Sequence, residues 1–466
     1  MSAKTGLGIS ARFAYALPAF ALAIVGLPVY TVLPKFYTDS VGVSMVAVGG
    51  ILAAVRIFDA VLDPLIGALS DRTRTRLGRR RPWIIGGSVP LAIALAALFA
   101  PVPTGEAAAV WFGVSIFALF FFFSVTWVPY ESLGIELTED YDDRTRLLGL
   151  RDAALLVGMG ACVSAPLWIQ HIVGLGPSAQ DQRTLFAVMA AIYAPLLVLL
   201  CGGCALIVRE RESDAPPPRS ILDRATVKTI VANRPFIIVL TAYFVNAIGT
   251  NLPGILMPYY VKDYLRSDRI YTYLGAYFAI GVAMLPVWIW LSRRIGKKAA
   301  WLAAMTINSG SFFFAIFFGR DDERLYQVMV AVAGTGFGAT WAIPSSMQAD
   351  VLDYDELLSS ERREGLLVGL WLILRKLAPA LPVGIAFPAL KAAGWAEGAT
   401  DQTDKAFFAL KMWYIVVPTI CTAIAFLIAL QYPIDREKHA RILDALAARE
   451  SGRPFTDPLA PLADPA

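Results

Sequence analysis

The chain has 466 residues, 57% of them hydrophobic, 12% aromatic and 17% charged, where soluble domains run at about 45–50% apolar and 25% charged. That much apolar surface exceeds what one aqueous core hides, so lipid is the solvent for most of the chain. The balance of 41 Lys and Arg against 37 Asp and Glu, a net +4, excludes a nucleic-acid-binding field spread over the molecule.

Twelve apolar stretches follow one another, at about 14–37, 44–69, 83–101, 108–132, 148–173, 184–208, 234–260, 271–292, 298–318, 325–349, 364–391 and 405–430. Each reaches the roughly 17–25 residues that a bilayer-crossing helix needs, so the expected class is an all-α membrane protein of twelve transmembrane helices. The first stretch exceeds the about 7–15 apolar residues of a signal peptide, has no small-residue cleavage site, and is read as span one.

Span two carries RIFDAVLDPLIG. Arg56, Asp59 and Asp63 are spaced three and four apart, which puts them on one helical face. Counted from the helix end near residue 70 at about 1.5 Å per residue, Asp63 lies ~10 Å deep, Asp59 ~16 Å and Arg56 ~21 Å. A charge at the centre of a span costs about 2.5–3.5 kcal/mol, so such residues are candidates for function. One arginine cannot balance two carboxylates at depth; a proton, a metal cation or a distant basic group must do the rest. Pro64 has no N–H, which leaves the Ala60 carbonyl as a further oxygen nearby.

The loop after span two, with Asp71, Arg72, Arg74, Arg76, Arg79, Arg80 and Arg81, is strongly basic, as is Arg293, Arg294, Lys297 and Lys298 between spans eight and nine. The alternate loops carry few such residues, so the basic loops and both termini are read as cytoplasmic and the chain as an inner (plasma) membrane protein. Asp71, Arg79 and Arg80 are candidate cytoplasmic gate residues.

Span four ends FFFSVTWVPYESLG and span five opens with Arg151 and Asp152. An indole one turn from a carboxylate, Trp127 and Glu131, suits a sugar, which stacks its C–H face and hydrogen-bonds its hydroxyls; Trp127 also suits a lipid-interface belt. Cys201 and Cys204 form a CxxC inside an apolar run without the partners of a redox or zinc site, and are read as helix packing. The GTGFG of span ten, Gly334 to Gly338, has no preceding strand and is likewise read as close helix contact.

Residues 209–233, with Pro216, Pro217 and Pro218, form the one long internal linker. It divides the chain into a six-span half (1–208), a second six-span half (234–431) and a tail (432–466). LSDRTRTRLGRR after span two is echoed by LSRRIGKK after span eight, with Gly78 and Gly296 in matching places, so the halves are read as pseudo-repeats. Lys376 in span eleven is the other basic residue at depth. After span twelve, DREKHARILDALAARE reads as an amphipathic interfacial helix, and the chain from Pro454 as unstructured.

RIFDAVLDPLIGALSDRTRTRLGRRRPW, the FYTD of Phe36 to Asp39, VPYESL in span four, and QADVLDYDE followed by EGLLVGL and Lys376 together resemble the major facilitator superfamily (MFS). More narrowly, they resemble the glycoside-pentoside-hexuronide:cation symporters typified by the melibiose permease. The resemblance implies an MFS fold, a cation or proton site at Asp59 and Asp63 with Ser124 as a hydroxyl ligand, and coupling through Arg56 and Lys376. It also implies sugar contacts at Trp127, Glu131 and Arg151. The chain departs from the type in places. Leu62 stands where an asparagine ligates sodium, Leu22 and Ala23 replace a charged pair, and Trp127 and Glu131 occur in reversed order.

The expectation is a symporter of a glycoside or related sugar, driven by H⁺ or by Na⁺ with Asp59 and Asp63 as metal ligands, working by alternating access. A carrier of lysolipids or other amphiphiles is the alternative. No cofactor and no nucleic-acid partner is expected, and one chain supplying all twelve spans is read as a monomer. HExxH, GxSxG and a histidine cluster at depth are all missing from the sequence, which argues against an enzyme.

Overall fold

The computed structural model describes residues 8–137, 141–210, 230–359, 364–399 and 401–459. Among these the regular elements are all helical. Twelve helices are long and apolar enough to cross a membrane: Ile9–Thr31, Met45–Arg72, Arg81–Phe99, Ala107–Gly134, Arg146–Val173, Ala179–Ile207, Arg234–Tyr264, Ile270–Ile295, Lys297–Phe317, Glu323–Ser359, Leu367–Ala392 and Asp404–Ala429. They are the twelve expected spans in order, the tenth running on past residue 349. The proline-rich centre of the linker, residues 211–229, lies outside the described residues.

Two compact units form, and neither is continuous in sequence. One comprises Met1–Pro217, Gly254–Gly275 and Pro379–Trp413; the other comprises Pro218–Pro253, Ala276–Ala378 and Tyr414–Ala466. In the first unit span one packs on spans five and six, span three on four and six, and span two on four and on Ala380–Ala392. In the second unit span nine packs on spans ten and twelve.

Small residues let the backbones approach where apolar association has no aqueous driving force. A Cβ on Gly334 would come within 2.9 Å of the Tyr277 carbonyl, and one on Gly336 within 2.8 Å of the Ala304 carbonyl. The GTGFG segment is therefore the close helix contact expected, touching span eight with one face and span nine with another. Cys201 and Cys204 are free and buried, in keeping with packing. Gly78 (φ 111°) and Gly296 (φ 87°), the echoed pair, both adopt a backbone that favours glycine and both precede a helix start.

Span eleven is broken. Glu364–Leu377 and Ala380–Ala392 are separate helices, because Pro379 and Pro382 lack the amides that would bond the carbonyls of Arg375 and Ala378. Lys376 sits in the last turn of the first segment.

Spans one and seven both end in π-helical turns, Phe36–Val41 and Tyr260–Tyr264. Each turn holds an aspartate, Asp39 and Asp263, and three residues later each chain turns through positive φ, at Gly42 (88°) and at Arg266 (53°). The loop after span eleven folds back on the same end of the first unit: Met45 N, in the first turn of span two, donates to Glu397 Oε1 at 3.1 Å, and Lys391 donates to Glu397 Oε2. Burial pushes the Glu397 carboxyl up, but the hydrogen bonds from Lys391, its own backbone and Met45 outweigh this and hold it below the ordinary range.

The tail corrects two expectations. Arg436–Glu450 is a helix, but it docks on span ten instead of lying free at the lipid interface. Ile442 is 0% exposed and sits within the second unit's core, so part of the helix's apolar face is covered by protein. Residues 455–459 are also seated: Tyr354 hydroxyl donates to Asp457 Oδ2 at 3.1 Å, and Leu459 packs on the same core; the rest of the stretch expected to be unstructured, 460–466, lies outside the described residues. The acidic QADVLDYDE end of span ten is thereby organised. Lys297 Nζ lies 2.7 Å from Asp350, His439 Nε2 2.8 Å from Asp353 Oδ2, and Asn233 Nδ2 donates to Asp355 at 3.2 Å.

Candidate functional site

Span two is one unbroken helix, Met45–Arg72, and its two faces differ. Ile57, Val61, Leu65 and Leu69, at four-residue steps, are all more than half exposed and form the lipid side. Arg56 and Asp59 lie on the buried side, Asp59 only 2% exposed. Span four packs there and presents Ser124, 1% exposed, whose Oγ lies 2.7 Å from Asp63 Oδ1 and 3.0 Å from Asp59 Oδ1. The three residues expected to hold a cation or proton are therefore together. A hydroxyl carries a single hydrogen, so Ser124 satisfies one of these carboxylates by donation. Leu62 is buried and adds no oxygen.

Arg56 Nη1 is 3.7 Å from Asp59 Oδ2. Its guanidinium carbon lies closer to an aromatic face, 3.6 Å from the Tyr30 ring centroid, with Phe120 at 4.8 Å on a further side. These two rings were not singled out in the sequence; they lie on spans one and four, and no periodicity within span two reveals them. Tyr30 and Arg56 also border a small cavity with Ile255, Pro379 and Ala380, at the break in span eleven.

Glu131 and Arg151 come together at 3.8 Å, and Arg151 also pairs with Asp152 at 2.8 Å. Trp127 stacks on Phe123, centroids 5.8 Å apart, and lies 5.9 Å from the Tyr130 ring, one turn before Glu131 on the same helix. Aromatic face, carboxylate and guanidinium thus occur within two helical turns of span four and the facing turn of span five. Lys376 belongs to the second unit and the carboxylates of span two to the first.

The arginine-rich loop is tied within the first unit. Arg80 pairs with Asp71 and donates to Ser70 Oγ at 2.6 Å. The backbone amides of Arg79, Arg80 and Arg81 converge on the carboxylate of Glu210 at 2.6–2.8 Å. Glu210 follows span six and occupies the N-terminus of span three, where free amides and the helix dipole favour an anion. It was not legible beforehand, because it lies far from the loop in sequence.

Among the described residues twelve helices are long and apolar enough to cross a membrane, and the family and relatives that the chain matches are transporters, which makes it a multi-pass membrane transporter and not an enzyme. The chain belongs to the MFS/sugar transport protein family, whose model matches residues 14–436. A sodium-dependent lysophosphatidylcholine symporter of Xenopus tropicalis is 26% identical over 97% of this chain and 92% of its own. The isoprimeverose transporter of Lactiplantibacillus pentosus is 23% identical over 93% of this chain and 91% of its own. Among solved structures, a bacterial homologue of the human lysosomal transporter Spinster superposes with TM-score 0.67 at 13% identity, covering 92% of this chain and 98% of that one. The last likeness concerns the fold alone.

Proposed function

We propose that this transporter is a cation-coupled symporter of a glycoside or related sugar. The observation that carries the reading is Ser124 within hydrogen-bond range of both Asp59 and Asp63. A buried carboxylate, Asp59, and a half-buried one, Asp63, within reach of one hydroxyl hydrogen form a site whose charge is relieved by one monovalent cation. A proton suits it best, since Leu62 withholds the extra oxygen that a hard metal ion would use; sodium held by Asp59, Asp63 and Ser124 is the competing ion.

Loading this site removes buried negative charge and rebalances Arg56 and, across the second half, Lys376. The loaded and empty carriers then differ in which state they favour, which is the basis of coupling. The two sequence halves, 1–208 and 234–431, are the moving bodies, with Asp71, Arg79 and Arg80 at the cytoplasmic gate. Basic loops on the cytoplasmic side put both termini inside, in the inner (plasma) membrane. Trp127, Glu131 and Arg151 hold the sugar by stacking and charge-assisted hydrogen bonds.

Uptake of labelled glycosides into vesicles under imposed pH or sodium gradients tests this. Uptake follows one gradient in the wild type and is lost in Asp59→Asn and Asp63→Asn. Wild-type uptake in both variants overturns the coupling.

A lysolipid cargo is the second reading, favoured by the lysophosphatidylcholine symporter among the relatives and by the apolar Leu22 and Ala23 in span one. Thermal stabilisation across glycosides, uronates and lysolipids separates the two, because a ligand stabilises the state it binds.

A further inference from the structure

The first unit contains a buried charge cluster that the coupling site does not use. Lys35, 5% exposed, reaches Asp263 Oδ2 at 2.5 Å and Asp39 Oδ2 at 2.8 Å, with its ammonium 4.5 Å from the centroid of the Tyr259 ring. Thr38 Oγ1 extends the network to Asp39 Oδ1 at 3.0 Å and to the Tyr259 hydroxyl at 3.1 Å. Lys35, Thr38 and Asp39 come from the end of span one. Tyr259 and Asp263 come from the end of span seven, its counterpart six spans later.

The two aspartates are themselves counterparts. Each sits in the π-helical turn that ends its span, three residues before a positive-φ residue. One lysine therefore bridges the same position of both repeats. Span two starts at Met45 beside this cluster and ends at Arg72, about 42 Å away at 1.5 Å per residue, so the cluster lies at the opposite end of the helix from the arginine loop. Glu397 ties the second half to the start of span two at this same end. A cavity of about 180 Å³ borders Lys35 and Asp39, together with Lys262, Asp268, Gln170 and Gln182.

We infer that Lys35, Asp39 and Asp263 form the latch that holds the face opposite the arginine loop closed, and that breaking it is the step that admits cargo there. The inference rests on the alternating-access reading. Buried ion pairs suit this task, since a pair that loses one partner leaves a costly unpaired charge while an intact pair is geometrically demanding. Separation of the two repeats at this end requires the Lys35–Asp263 contact to part.

The test uses a reporter cysteine at Ile255 in a chain whose Cys162, Cys201, Cys204 and Cys421 are replaced. Ile255 is buried in span seven, eight residues and about 12 Å inward of Asp263. A membrane-impermeant maleimide is applied to right-side-out and to inside-out vesicles. Labelling from the latch face is expected to be slow in the parent and at least about tenfold faster in Lys35→Gln and Asp263→Asn. The charge exchange Lys35→Asp with Asp263→Lys is expected to restore slow labelling, which a merely misfolded variant would not do. Parental labelling in both single variants, or no restoration in the exchange, overturns the latch. Because labelling needs no cargo or ion gradient, loss of the coupling claim through an active Asp59→Asn variant leaves this result readable.

Discussion

The guanidinium of Arg56 stands 3.6 Å from the centre of the Tyr30 ring and 3.7 Å from Asp59 Oδ2. At depth a cation needs partners, and here an aromatic face from span one supplies much of what water would. Arg56 is thus held in place without a close ion pair, and Asp59 keeps Oδ1 toward Ser124.

Tyr30→Phe keeps the aromatic face and is expected to transport near the wild-type rate. Tyr30→Leu removes it and is expected to destabilise the protein by about 0.5–2 kcal/mol and to slow uptake, with Arg56 drawn onto Asp59. Thermal unfolding in detergent together with gradient-driven uptake checks this; equal behaviour of the two variants would dismiss the ring's role.

Gly336 admits no side chain, since a Cβ there would lie 2.8 Å from the Ala304 carbonyl and 3.1 Å from the Asn308 amide nitrogen. Backbone cannot swing aside as a flexible side chain does, so Gly336→Ala should push spans nine and ten apart and cost about 1–3 kcal/mol. Gly310, in span nine with nothing within 4 Å, is the control: Gly310→Ala is expected to unfold at or above the wild-type temperature, since alanine favours helix.

Ile442→Asp places a carboxylate at a 0% exposed position of the tail helix. Without a partner that charge cannot stay buried, and the helix is expected to leave span ten. Limited proteolysis reads the release as new cleavage between residues 436 and 450 with the spans intact. A tail as protected as in the wild type would show that the docking tolerates the charge.

Glu397 gives a pH dependence with a defined sign. Its carboxyl is held below the ordinary 4.5, so its contribution is complete above that value and fades as pH falls through the lower, folded-state value. The stability difference between wild type and Glu397→Gln is therefore expected to be constant near neutrality and to vanish in acid. Thermal melts of both proteins across pH 3 to 8 measure it; a difference that grows on acidification would reverse the sign.

The sequence alone determined the twelve spans, because a bilayer demands long apolar helices and twelve such stretches can be counted without knowing their neighbours. It also marked Arg56, Asp59, Asp63, Glu131, Arg151 and Lys376, since charge at depth is costly enough to stand out. The loop glycines Gly78 and Gly296 were readable as matching positions because LSRRIGKK echoes LSDRTRTRLGRR; that both take positive φ came from the structure.

Only the tertiary structure decided which groups meet. Ser124 over two carboxylates, Tyr30 on Arg56, Glu210 on three amides and Lys35 between two aspartates all join segments far apart in the chain. Periodicity describes one helix at a time and carries no information on its partner. The same limit explains the tail, whose amphipathic pattern fits a membrane surface and a protein groove equally well until the buried Ile442 decides between them.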